Sequence, residues 1–249
     1  MTTNHTAKVI STIQICVSIL AVAILSWIGY VMYISDDSLF IILEVVPKLT
    51  IVLTTLVPAI VLRVKHQSEA VEGALIPLFL LFTTMESLVI VPSFYDYFGT
   101  YMVSYYVCVT IMRGIFMSAA VSLFFAAILN LQRDSMSKMS LYISFAILAS
   151  FLIGFIIPVD ELNPSENTHN QFFTVCVLTV LILANITYLL AFLKDRESYK
   201  IKRFLTFLFL SIGQFLIMLS NSFLVTNITG MAMMAIGALM LCLVGPDGY

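Results

Sequence analysis

The stretch GALIPLFLLFTTMESLVIVPSFYDYFGTYMVSYYVCVTIMRGIFMSAAVSLFFAAILN, Gly73 to Asn130, decides the fold. It reads as two apolar helices separated by the turn SFYDYFGT, Ser93 to Thr100, where Pro92, Asp96 and Gly99 interrupt helical structure. So short a connection predicts antiparallel neighbours. Each helix carries a single full charge inside its apolar run, Glu86 in the first and Arg113 in the second. At about 1.5 Å per residue, Glu86 lies roughly 8 to 10 Å below the turn and Arg113 roughly 16 to 20 Å below it, a difference that an Arg side chain largely spans. A lone charge in hydrocarbon costs about 2.5 to 3.5 kcal/mol on insertion scales. The expected arrangement turns both side chains inward and pairs them, inside a membrane bundle with a polar interior.

Composition places the rest of the chain in the same solvent. Hydrophobic residues make up 61% of the sequence and charged residues 10%, against about 45 to 50% and 25% in soluble domains. Mean hydropathy is +1.05. These values exclude a soluble domain, and apolar runs near 20 residues read as helices, not barrel strands. The class is all-α, a polytopic transmembrane helical bundle. A net charge of −2 with no basic patch interleaved with aromatics gives no reason to expect a nucleic-acid partner. Cys16, Cys108, Cys176 and Cys242 each fall in an apolar run without CxxC spacing, so neither a disulfide framework nor a zinc site is expected. His5, His66 and His169 lie in the tail or loops, and no cofactor motif is present. The first apolar run lacks a small-residue cleavage site and is read as a retained helix.

Eight spans follow along the chain: Val9–Tyr33, Leu39–Leu62, Gly73–Val91, Met102–Asn130, Met139–Val159, Phe172–Leu193, Phe204–Val225 and Ile228–Val244. Charge placement supports that count. Lys8 precedes span one, Arg63 and Lys65 follow span two, Arg133 and Lys138 follow span four, and Lys194, Arg196, Lys200, Lys202 and Arg203 follow span six. The alternate connections, Ser35–Ser38, Ser93–Thr100, Asp160–Gln171 and Thr226–Asn227, hold no Lys or Arg. By the positive-inside rule both termini are cytoplasmic, in a cell membrane of cytoplasmic type. Trp27, Tyr30, Tyr33, Tyr95, Tyr97, Tyr101, Tyr105 and Tyr106 then gather at the outer interface. With no linker or internal repeat, residues 1–249 form one integral-membrane domain.

Polar residues within the spans converge on the middle and outer half of this bundle. Glu44 and Lys48 are four apart and share a helix face. Thr83 lies one turn from Glu86, and Thr110 one turn from Arg113. Ser211, Gln214, Met218 and Asn221 form a stripe on span seven. Two readings remain open. In one, these side chains line an outward-opening cleft for a membrane lipid or lipid-like small molecule. In the other, the charged residues are neutralised structural pairs and the amides and hydroxyls are helix-packing contacts. Pro47, Pro58 and Pro77 mark kinks, and a carbonyl freed near Glu44 or Lys48 would serve a site or merely shape one.

Several strings resemble the lysoplasmalogenase family, eight-helix membrane proteins that hydrolyse the vinyl ether of lysoplasmalogens. GQFLIMLSNSFLVTN, Gly213 to Asn227, is similar to that family's late helix, Met85-Glu86-Ser87-Leu88 to its Gly-Asp-x-Leu segment, Gly114 to Phe125 to its fourth helix, and Pro47-Lys48-Leu49-Thr50 to its Lys-Pro-Leu-Thr. Glu86 stands where the family has an Asp, Asn221 in place of the second Asp, Ser122 in place of a His and Gly237 in place of a Gln. The resemblance implies a lipid ether hydrolase with Glu86 as proton donor, Asn221 and Gln214 orienting water or head group, and Lys48 or Arg113 meeting a phosphate, with Glu44 beside Lys48. A transporter or a membrane sensor would use the same buried charges without hydrolysis.

Overall fold

The computed structural model describes residues 2–64, 75–91, 105–131, 139–159, 170–219 and 224–243. Within them the chain forms eight helical segments and no strand: α1 (Thr2–Ile34), α2 (Ser38–Val64), α3 (Leu75–Glu86, prolonged by a 3-10 turn at Ser87–Val89), α4 (Tyr105–Leu131), α5 (Met139–Ile156), α6 (Gln171–Asp195), α7 (Ser198–Leu219) and α8 (Leu224–Leu243). Six carry stretches long and apolar enough to cross a membrane. The other two contribute the shorter apolar stretches Leu75–Val89 and Leu141–Ile156. The fold is that of a multi-pass helical membrane protein.

Local chemistry sets several boundaries. Asp37 caps the start of α2 by accepting from the Phe40 amide at 3.1 Å. Asn170 caps α6, its Oδ1 accepting from Phe172 and Phe173 at 3.0 and 3.3 Å. Asp36 and Arg196 take left-handed backbone angles, φ 58° and 50°, at the two tight reversals. The last helix pair departs from the hydropathy reading. α7 begins at Ser198, not Phe204, because Lys200 folds into the bundle and pairs with Asp195. α8 begins at Leu224, so Asn227, expected in an outer loop, lies buried within the first turn of a helix. Runs of charge or amide end an apolar window without ending a helix.

The helices close into a ring. α1 packs on α2 and α3, α2 on α8, α8 on α7, α7 on α6, α6 on α4 and α4 on α3, while α5 rests outside on α4. α4 is the pivot, with 72% of its apolar window buried against 28% for α1 and for α6. Close approach needs small residues where two backbones meet. A Cβ at Gly154 would stand 2.9 Å from the Thr110 carbonyl, and one at Gly213 would stand 2.7 Å from the Met234 amide. These glycines let α5 lie against α4, and α8 against α7. The backbones of α3 and α7 make few approaches, so side chains must fill the centre between them.

Candidate functional site

At that centre Glu86, the last α-helical residue of α3, meets Gln214 of α7. Gln214 Nε2 donates to both carboxylate oxygens, at 2.8 and 2.7 Å. Both side chains are 1% exposed. Two turns earlier on each helix, the Phe79 and Phe207 rings meet edge to face with centroids 6.4 Å apart, and Tyr188 of α6 stacks on Phe207 at 4.8 Å. Matching contacts in the same order along both helices set α3 and α7 parallel, with an aromatic layer beneath the carboxyl–amide pair.

Arg113 is elsewhere. Glu86 and Arg113 form no ion pair; among the described residues the ion pairs are Glu44–Lys48 and Asp195–Lys200. α3 and α4 are neighbours as the short turn requires, but Arg113 lies on the face of α4 that packs against α5, beside Gly154. Its guanidinium Nη1 rises to the carbonyls of Ile157 and Pro158 just past the end of α5, at 2.8 and 3.3 Å. A helix C-terminus offers carbonyl oxygens and partial negative charge, which suit a cation as an acid would. Sequence spacing does not fix the helix faces that the two charges occupy, and here they differ.

Glu44 and Lys48 do pair, Nζ to Oε2 at 3.2 Å, with Lys48 3% and Glu44 21% exposed. Glu44 lies in a π-helical turn, Ile41–Val45, directly before Pro47. Proline lacks the N–H that a regular helix would offer to the Leu43 carbonyl. Asn227 of α8 supplies the donor instead, its Nδ2 standing 3.1 Å from Leu43 O. The carbonyl freed at the kink is therefore spent on helix packing. No hydrogen bond or ion pair links Glu44 or Lys48 to Glu86 or Gln214 among the described residues.

The expected stripe on α7 divides. Ser211 receives a hydrogen bond from Asn185 Nδ2 of α6 at 3.0 Å, while Gln214 turns to α3. Asn221 lies outside the described residues. The sequence reading missed a second polar chain, on α1, α2 and α3. Gln14 Nε2 donates to Thr55 O at 3.2 Å and to Ser18 Oγ at 3.4 Å. Ser18 and Thr55 hydroxyls in turn meet the Thr84 hydroxyl at 3.4 and 2.7 Å. Its signal was the i, i+4 spacing of Gln14 and Ser18 on an otherwise apolar span. These contacts tie three helices together and leave Thr84 no part in the Glu86 cluster.

Two polar atoms near Glu86 have no partner among the described residues: Thr83 Oγ1, one turn before it, and Gln214 Oε1 beside it. Buried polar atoms are satisfied in roughly nine cases of ten, by protein or by ordered water. Glu86, Gln214 and Thr83 thus form a site with hydrogen-bonding capacity left over, in an apolar bundle. The class so defined is a polytopic helical membrane protein with a buried carboxyl–amide centre. No protein-family model matches the sequence, and no curated protein or solved structure matches it either.

Proposed function

We propose that this protein acts on a single-chain lipid drawn from the bilayer, with Glu86 as proton donor and Gln214 holding the carboxyl and the incoming polar group. The observation that carries the reading is the Glu86–Gln214–Thr83 centre: a carboxyl paired to an amide and not to a cation, with an unfilled acceptor on Gln214 and an unfilled hydroxyl on Thr83. A carboxylate ion-paired to Arg113 would be held without a proton to donate; a neutral amide partner imposes no such constraint. The proposal includes the eight-span arrangement with both termini cytoplasmic, in a cytoplasmic-type membrane. The resemblance to lysoplasmalogenases supplies the specific reaction.

In that reaction Glu86 delivers a proton to the vinyl-ether carbon β to the oxygen, the one that carries the alkyl chain. Water adds to the resulting oxocarbenium carbon and returns a proton to the site, and the hemiacetal breaks its C–O bond to give an aldehyde and the freed glycerol hydroxyl. General acid catalysis of this kind contributes about 10² to 10⁴ in rate. Gln214 Oε1 is placed to accept a hydrogen bond from the water. Arg113 has no part in phosphate binding on this reading, since its guanidinium is engaged at the end of α5.

Purified protein in mixed micelles would be offered lysoplasmalogen and ordinary lysophospholipids, with aldehyde and fatty acid measured. Aldehyde release that falls at least 100-fold in Glu86→Gln, while lipid still raises the melting temperature, supports the hydrolase. Lipid-dependent stabilisation without release in either protein overturns it in favour of a transporter or sensor that binds at the same centre.

A further inference from the structure

On the opposite side of α7 from the Glu86 centre, α6 and α7 part from their tight connection at Arg196 and Glu197 and leave a lateral cavity of about 340 Å³. Its walls are bulky and apolar, among them Ile182, Leu189, Phe204 and Leu208. Ile182 and Leu189 are exposed, so the cavity lies on the surface that faces hydrocarbon. Its two polar members, Asn185 and Ser211, bond to each other, and Asn185 also donates to Leu181 O at 2.8 Å. Asn185 Oδ1 is left without a partner among the described residues, and the rest of the wall is apolar.

Two occupants fit an apolar groove in a membrane, a helix and a lipid chain. Helices in this molecule approach through glycine, as at Gly154 and Gly213, and the groove wall has no glycine or alanine. Ser211 is the one small residue of the wall and is engaged by Asn185, so bulky side chains hold an approaching backbone off, whereas a flexible acyl chain follows them. The charge at one end of the groove narrows the choice further. Arg196 lies two turns beyond Leu189, and Lys200 one turn before Phe204. Residues 194–203 hold five cations, Lys194, Arg196, Lys200, Lys202 and Arg203, against the carboxylates of Asp195 and Glu197. Asp195 is engaged by Lys200, and Arg203 lies 5.7 Å from the Tyr199 ring. The side chains of Arg196 and Lys202 are exposed and make no hydrogen bond or ion pair among the described residues.

We propose that the α6–α7 groove is a binding site for an anionic phospholipid, with one acyl chain along the groove and the phosphate at the basic connection. The site is independent of the Glu86 centre and of any reaction there. Each Lys or Arg near a membrane surface adds about 1 kcal/mol of attraction for anionic lipid, roughly a fivefold preference.

The test uses the full chain with Trp27→Phe, which leaves no tryptophan, and Phe204→Trp as reporter in the groove wall. Leu189→Trp reports the same wall should the first variant fold poorly. Vesicles of phosphatidylcholine receive increasing fractions of chain-brominated phosphatidylglycerol or brominated phosphatidylcholine, and quenching gives relative binding constants. Phosphatidylglycerol should win by at least fivefold, Arg196→Gln should reduce that preference about fivefold, and Glu197→Gln should raise it. Equal quenching by the two lipids, or a preference unmoved by both substitutions, would overturn the proposal. Quenching by neither lipid would also overturn it and would give the groove to a second copy of the chain.

Discussion

Replacing Gln214 with Leu removes the donor that Glu86 uses while leaving its carboxyl buried at 1% exposure. The amide–carboxyl distances of 2.8 and 2.7 Å are those of well-formed N–H···O hydrogen bonds. Such bonds are worth about 0.5 to 1.5 kcal/mol net. Those measured between membrane helices average about 0.6 and reach about 1.7 kcal/mol. The two ranges overlap near 1 kcal/mol, which is the expected coupling of Glu86 to Gln214. Gln214→Leu alone should cost about 2 to 3 kcal/mol, because an unpaired buried acceptor adds its desolvation penalty. Adding Glu86→Leu should recover most of that loss, since no orphaned group remains. The matching cycle with Glu86→Leu and Arg113→Leu should be additive within about 0.5 kcal/mol, as befits residues without shared partners. Reversible unfolding in mixed micelles, followed by far-ultraviolet circular dichroism, compares the five variants with the parent protein. A Glu86–Gln214 coupling below about 0.5 kcal/mol, or a Glu86–Arg113 coupling above about 1 kcal/mol, would refute the reasoning.

Four further outcomes are expected. Gly154→Ala, whose Cβ would stand 2.9 Å from the Thr110 carbonyl, should cost about 1 to 3 kcal/mol in the same unfolding assay. Gly29→Ala, whose nearest neighbour is Val45 Cγ1 at 3.4 Å, should be neutral or stabilising. Asn227→Leu should cost about 1 to 2 kcal/mol by orphaning the Leu43 carbonyl, and Pro47→Ala should offset much of it by supplying a backbone N–H; simple additivity would count against that account. In a background lacking the native cysteines, Ser38→Cys should react with an impermeant thiol reagent on sealed cells and Ser198→Cys should not, and the reverse pattern would invert the proposed orientation.

Periodicity and hydropathy made the helical class and the helix order legible, because both depend on local sequence in a uniform solvent. Helix ends were less so where polarity misled. Lys200 and Asn227 look like loop residues to a hydropathy window, yet each is itself buried and has a polar partner that offsets the cost of its place inside a helix. The Glu44–Lys48 pair was readable because i, i+4 spacing is a property of one helix. The partner of Glu86 was not, because it depends on the rotation of three helices about their axes. Gln214 was present in the sequence as a polar member of a stripe, but nothing local told it apart from Ser211, which faces α6. The chain from Gln14 to Thr84 was hidden for a related reason: single amides and hydroxyls are common in spans, and only their convergence is informative.

How each intramembrane charge is stabilised separates the structural from the functional. Lys48 has Glu44 one turn away, in a π turn whose freed carbonyl is capped by Asn227, so every polar consequence of Pro47 is met within the scaffold. Arg113 cannot lose its proton, and it is led to the carbonyl-rich end of α5, where a permanent cation is stable. Glu86 differs from both. It can exchange a proton, its partner is a neutral amide, and the neighbouring Gln214 Oε1 and Thr83 Oγ1 retain unfilled hydrogen-bonding capacity. A buried centre needed only for helix register would gain by filling that capacity or by becoming apolar. The carboxyl–amide centre does neither, and that is the physical ground on which we propose a role for Glu86 and not for the ion pair or the arginine.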